Sequence, residues 1–328
     1  MMQKKKFNKP ALSINDQINL LESRGLHIED KNIAYKVLSN VNYYHLEGYW
    51  YSFYHQDKQG HQFYNNVCFS QIVRYYEFDN ELRLLLFSAI SKIELSFRTR
   101  FIYELALQYG PFPFEKSNFK FKTESSWTKS YEILLNDISH SKEDYVTHYL
   151  ETYEEEIPPI WIMGELMTFG ELSTWYDKFF KNPIKKRISL FYGIQPDVLA
   201  SWLRVLSSIR NICAHHDRLW NKILPFEIMI PKHITDTRFI GLFAEQDKET
   251  LNSKRIYNAL LAIQYLLNQI DFQNKENIFF QDISILMEKY HIENYKRMGI
   301  PYPINQVIET LRKEPITDNE NNNQTKQE

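Results

Sequence analysis

Cysteine is almost missing: Cys68 and Cys213 are the whole supply in 328 residues. Two thiols in dissimilar surroundings give neither a disulfide framework nor zinc-knuckle spacing, so a reducing, cytoplasmic setting is expected. Glycine is scarce too, at 9 residues. There is no glycine-rich phosphate loop, no nucleophilic Ser or Cys motif, and no carboxylate cluster with metal-ligand spacing. The greasiest stretch, LRLLLFSAI at 82–90, is short and carries Arg83, which argues against a membrane span. The basic start MMQKKKFNKP has no apolar run behind it and does not read as a secretory signal. Excess charge is absent as well. A net charge of −2 sets aside a polycation that coats nucleic acid, so any such contact must be a local basic surface.

What is present is apolar material in helical order. The chain is 43% hydrophobic and 15% aromatic, enough for one large core or two modest ones. Ser13 followed by Asp16, with Gly25 as a stop, predicts a short first helix. Residues 29–40 predict a second, with Ile33, Ala34, Val37 and Leu38 on one side. The Tyr-rich segment 43–54 reads as packing, and the polar QDKQG after it suits a hairpin turn. These elements make a small N-terminal module, residues 1–69, of winged-helix aspect.

From 70 to 108 neither Pro nor Gly intervenes, and Leu82, Leu85, Leu86, Ala89, Ile93 and Phe97 recur at helical spacing. Further helices are expected over 129–154, 160–180, 184–192, 197–216, 250–271 and 276–291, with proline-bearing stretches between them. The fold class is therefore mainly α: a helical core over 70–230, C-terminal helices over 231–313, and a polar, disordered tail over 314–328.

Residues 210–221 read RNICAHHDRLWN and concentrate unusual chemistry. On a continued helix Trp202, Val205, Leu206, Ile209 and Cys213 form an apolar stripe. Arg210 and His215 flank that stripe on opposite sides, roughly 140° apart and about 7.5 Å along the axis. His216 falls back toward the stripe and reads as a core histidine. For Arg210 and His215 to act on one bond, the helix must end or distort there, or a second copy must face the first across a two-fold axis. Histidine moves protons near neutral pH, and arginine suits charge developing on phosphate oxygens. With no nucleophile of its own, such a site fits a substrate that brings one. RNA does, through its 2′-hydroxyl. The spacing by itself decides nothing, since 13 Arg and 10 His give roughly 0.4 such pairs by chance. Its bland reading is a helix-flank ion pair and a solvated histidine.

The surroundings add more. RNICAHHDRLWN preceded by SWLRVLSSI closely resembles the AbiD/AbiF-type abortive infection proteins, anti-phage factors of the HEPN ribonuclease superfamily. Further blocks carry the resemblance in order: QINLLESRGLHIEDKNIAYKVLSNVNYYHLEGYWYSF, YEFDNELRLLLFSAISKIELSFRTRF and PPIWIMGELMTFGELSTWY. The resemblance implies an all-α HEPN-type bundle, commonly a homodimer, with an R-N-x-x-x-H signature met by Arg210, Asn211 and His215. Type VI CRISPR nucleases resemble the same family in that signature. It implies a metal-independent endoribonuclease without a cofactor, in which Arg210 stabilises phosphate charge, His215 handles protons and Asn211 orients. It also implies restraint by an antitoxin, for which a non-coding RNA is a candidate. The rival reading is a non-catalytic module that binds RNA or protein to sense phage, and a third is a DNA-binding regulator using the N-terminal module.

Other residues stand around this motif. Glu94 and Arg98, four apart on the long helix, read first as a structural ion pair and second as support facing the catalytic helix. Glu165, between apolar neighbours, needs a partner, for which Arg210 is one candidate. His216 and Arg218 are supporting candidates within the motif. Lys116, Phe119, Lys120, Phe121 and Lys122 interleave aromatic and basic groups, as a single-stranded RNA surface does, although an ordinary loop anchored by its phenylalanines is the commoner source of such a pattern. The adjacent His215, His216 and Asp217 diverge on a helix, so no metal site is expected.

Overall fold

Helical spacing governs nearly every stretch of the chain, and the computed structural model follows it. The structure describes residues 10–55, 61–114, 123–178, 183–243, 254–270 and 278–313. Among the described residues there are thirteen α-helices and no strand, with isolated bridges at His27–Cys68 and Tyr54–Phe63. The mainly α expectation holds. Contacts divide the chain into two units, residues 1–81 with 287–292 and residues 82–286 with 293–328.

In the first unit, α1 (Ile14–Ser23) starts where Ser13 accepts a hydrogen bond from the Asp16 amide at 3.2 Å. It ends at Gly25, φ +90°, with Gly25 N bonded to Glu22 O and Leu26 N to Leu21 O. That pair of bonds is a Schellman motif, which needs a left-handed residue after the helix. Asp30 caps α2 (Lys31–Asn40) by accepting from the amides of Asn32 and Ile33. Ala34 and Leu38 are buried, whereas Ile33 faces out, so the expected face is narrower than projected.

The Tyr-rich segment forms a helix the sequence did not announce, α3 (Tyr43–Trp50), which buries Leu46, Tyr49 and Trp50. Tyr49 donates to the buried Asp79 carboxylate at 2.7 Å. Beyond α3, His55 N bonds Gln62 O and Tyr64 N bonds Phe53 O, both at 2.8 Å, so the chain pairs on either side of QDKQG as a hairpin does. Residues 56–60 themselves lie outside the described set.

The long helix α4 (Phe69–Tyr109) begins in the first unit and continues in the second. There follow α5 (Glu124–His140), α6 (Asp144–Thr152), α7 (Ile160–Leu166), α8 (Phe169–Lys178), α9 (Pro183–Phe191), α10 (Pro196–Ala214), α11 (Tyr257–Ile270), α12 (Phe279–Lys289) and α13 (Ile304–Arg312). The helix expected over 129–154 is two, separated at Ser141. The one expected over 160–180 is also two: Thr168 and Glu171 bond each other's backbone amides in a capping box that starts α8. α13 was not anticipated, and the tail from 314 lies outside the described residues.

The core of the second unit centres on α10 and α11. Residues Tyr257 to Leu266 of α11 are buried on every side, the mark of a helix inside a core rather than on it. α10 packs against α8, α9 and α11 and buries Trp202, Val205, Leu206, Ile209 and Cys213, the stripe read from sequence. At roughly 1.5–3 kcal/mol per large apolar side chain, this stripe fixes how α10 is rotated. Its last turn thereby presents Arg210 and Asn211 away from the core. Among the described residues no helix is long and apolar enough to cross a membrane.

Candidate functional site

The motif sits where α10 stops. The helix ends at Ala214 with His215 as its C-cap, φ −91° and ψ 8°. His216 adopts φ +58°, and its amide bonds Cys213 O at 3.3 Å while Asp217 N bonds Ile212 O at 3.0 Å. This is the Schellman geometry of α1 again, with histidine in the position glycine holds there. A non-glycine residue in that conformation costs roughly 1–2 kcal/mol, though His tolerates it better than most. Asn221, at the motif's other end, is also left-handed at φ +55°.

The chain turn revises one expectation. His216 is exposed, not a core histidine, because the projection assumed a helix through 216 and the helix stops two residues earlier. His215 is exposed too, and its imidazole has no hydrogen-bond partner among the described residues. The helix therefore runs up to its cap at His215, whose amide still bonds Asn211 O at 2.9 Å, and the chain turns away only from His216 onward.

Arg210 lies at the edge of a charged cluster on α4 and α7. Its side chain is 33% exposed, and Nε stands 3.7 Å from Glu94 Oε2, an ion pair beyond hydrogen-bond reach. Nη1 donates to Asn211 Oδ1 at 3.3 Å, and the guanidinium lies 5.8 Å from the centre of the Phe87 ring. Glu94 is held from its other oxygen by Arg98 at 2.9 Å, both side chains being 12% exposed. Arg98 also donates to the carbonyls of Gly164 at 3.1 Å and Glu165 at 2.7 Å. These contacts depend on glycine at 164, because a Cβ there would collide with Ile102 and push α7 off α4.

Glu94 and Arg98 thus form the expected ion pair, and Glu94 also reaches Arg210 of α10. Glu165 pairs with Arg98 at 3.8 Å rather than with Arg210. Glu94 therefore stands between two guanidiniums, bonded to Arg98 and only ion-paired with Arg210. Arg218 lies apart from this cluster, donating to Trp220 O at 2.5 Å and tying the motif's tail around a buried indole. Lys116, Phe119, Lys120, Phe121 and Lys122 lie outside the described residues.

Sequence reading missed three contributors. Phe87 forms the apolar side of the Arg210 environment and carried no signal beyond its helix position. Gly164 had one signal, a glycine inside a helical pattern. Arg255 had none: it donates to Asn221 Oδ1 at 2.5 Å and Arg297 O at 2.9 Å. Burial and then the charges of Arg297 and Arg218 push its guanidinium below the ordinary range. Among the described residues no group of three His, Cys, Asp or Glu side chains could hold a metal ion.

Residues 36–221 match the model of a family described as Abi-like protein, more than half of the chain and ending on the last residue of the motif. No curated protein and no solved structure matches.

Proposed function

The chain belongs to the Abi-like protein family, and from that premise we propose that it is an abortive-infection endoribonuclease of HEPN type. The reading rests on one observation above all. Arg210 and His215 stand at an exposed helix end with nearly all their polar capacity uncommitted, beside a cluster that holds Glu94 and Arg98 rigid. In the reaction the RNA 2′-hydroxyl attacks the adjacent phosphorus, the bond to the 5′-oxygen breaks, and the products are a 2′,3′-cyclic phosphate and a 5′-hydroxyl. His215 moves a proton, Arg210 meets the charge gathering on the phosphoryl oxygens, and Asn211 orients Arg210 through the bond between them. No metal takes part.

The site is completed by a second copy. Leu84, Phe87 and Leu95 lie along one face of α4 and are exposed, at 72%, 37% and 61%. Their spacing of three and eight residues puts them on one face next to Glu94 and Arg98, with Ser91 between Phe87 and Leu95. Covering it with the same surface of another chain would set two motifs face to face in a homodimer. Restraint in the uninfected cell falls to an antitoxin, with a non-coding RNA the candidate, and its binding would weaken steeply with salt.

The test is expression of wild type, Arg210→Ala and His215→Ala in a bacterium, with the ends of cellular RNAs mapped. Wild type should arrest growth and leave 5′-hydroxyl ends whose 3′ partners need phosphate removal before ligation, and both variants should be harmless yet folded. Equal toxicity or equal harmlessness of all three leaves a non-catalytic module. Metal-dependent 5′-phosphate ends would contradict the chemistry.

A further inference from the structure

A second feature of the larger unit shares none of its lining residues with the Arg210 site. Tyr145 and Tyr149 stand one turn apart on α6, Tyr153 follows at its C-cap, and Trp161 opens α7. With Phe112 they line an open cavity of about 510 Å³. Four of these rings are exposed: Phe112 36%, Tyr145 42%, Tyr153 56% and Trp161 52%. The frame is rigid, because Ile160 N bonds Pro111 O at 2.8 Å and Tyr149 stacks on Tyr153 with centroids 4.8 Å apart. Aromatic rings gathered in this way and left wet mark a recognition surface.

Charge selects the occupant. Glu155 lines the cavity, and Glu154 and Glu156 are exposed on either side of it. Burial and then the charges of Glu143 and Glu165 raise the Tyr145 phenol above its ordinary range, and burial and then Glu155 do the same for Tyr149. Glu155 is the carboxylate in the lining, which also includes His148, and Glu154 and Glu156 add charge beside it. RNA bases would stack on these rings, but their phosphates would meet the acids. Arginine and lysine gain twice, from the ring faces and from the carboxylates. Prolines 111 and 159 and the Tyr and Trp faces form the sort of ridged groove that takes an extended, proline-bearing chain. We propose that this groove docks an extended basic segment, Arg and Pro in alternation or near it, from another protein. The proposal does not depend on the ribonuclease reading.

The test uses the full-length chain and a labelled eight-residue peptide of alternating Pro and Arg, followed by fluorescence anisotropy. Saturable binding is expected, weakened at least tenfold by Trp161→Ala and several-fold by Glu155→Gln, with a shallower salt dependence in the second. Both positions are exposed, and an unchanged thermal melt confirms that each variant folds. Five results overturn the proposal, the first three being no saturable binding at millimolar peptide, equal binding of the matching Pro and Glu peptide, and binding unaffected by Trp161→Ala. A fourth is preference for a 2′-O-methyl oligoadenylate that Trp161→Ala abolishes, which makes the groove an RNA platform. A fifth is loss of self-association on Trp161→Ala in sedimentation, which makes it a contact between copies.

Discussion

Glu94 and Glu104 lie ten residues apart on α4, each a buried or nearly buried carboxylate placed between two arginines. At Glu104 both partners are in direct contact, Arg100 at 2.7 Å and Arg187 at 2.6 Å. Arg187 gives a further bond to Gln108, and Arg100 lies over the rings of Tyr103 and Phe191. At Glu94 only Arg98 is bonded directly, and its Nη1 is given to two carbonyls of α7. Arg210 hangs back at 3.7 Å. The residue types are the same in both clusters. What differs is how closely the second arginine is bound: Arg187 bonds its carboxylate directly, whereas Arg210 stands off and keeps the donors that the proposed function assigns to a phosphate.

The sharpest way to break this contrast is to exchange arginine for lysine on each side of it. Lysine keeps the charge and loses the planar fork. Arg210→Lys should reduce RNA cleavage about 100-fold, some 2.7 kcal/mol, while the melting temperature stays within about 1 °C. Arg187→Lys should do the reverse, leaving cleavage within about twofold and lowering stability, because it loses the bonds that Nε and Nη2 give to Glu104 and Gln108. Cleavage by purified protein and a thermal melt read both. Equal loss of cleavage in the two variants would mean that donor commitment does not separate function from structure here.

The next effect is smaller and falls on the carboxylates. Glu104→Ala strands two guanidiniums around a buried site. Since Arg100 and Arg187 retain access to water, the expected cost is about 2 kcal/mol rather than the larger loss of a fully enclosed pair. Glu94→Gln preserves volume and the bond from Arg98, so stability should fall by about 1 kcal/mol or less. Its cleavage should drop roughly tenfold, chiefly in kcat, because Arg210 loses the charge that holds its position. Denaturant midpoints beside steady-state kinetics distinguish the two. A Glu94→Gln protein of full activity would make its cluster merely structural, like its neighbour.

How much of this was legible beforehand follows from range. The stripe from Trp202 to Cys213 repeats locally, so periodicity alone located α10 and oriented Arg210 away from the core. Ser13 and Gly25 are local signals too, and the structure uses both as read. The breaks at Ser141 and Thr168 were missed because apolar spacing continues across them while side-chain and backbone caps interrupt the helices. The partner of Glu165 depends on α7 meeting α4 at Gly164, a contact between residues some sixty positions apart, and no pattern along the chain encodes it. His216 was misplaced by a subtler error. Its angle on the wheel was computed correctly for a helix that had already ended.

That ending offers the finest comparison, because α1 and α10 stop with the same motif built on different residues. Gly25 occupies the left-handed position of α1 without strain, and His216 occupies that of α10 at φ +58°. Relieving the histidine gains roughly 1–2 kcal/mol, and the added freedom of glycine in the unfolded chain returns about 0.5–1 of it. His216→Gly should therefore stabilise the protein by about 0.5 kcal/mol, while Gly25→Ala at the matching position should destabilise it by about 1 kcal/mol. If the imidazole of His216 has no part in the chemistry, cleavage by His216→Gly stays within about twofold of wild type. A tenfold loss in a protein that melts higher would mean that the strain is kept for function, and that the second histidine of the motif acts beside the first.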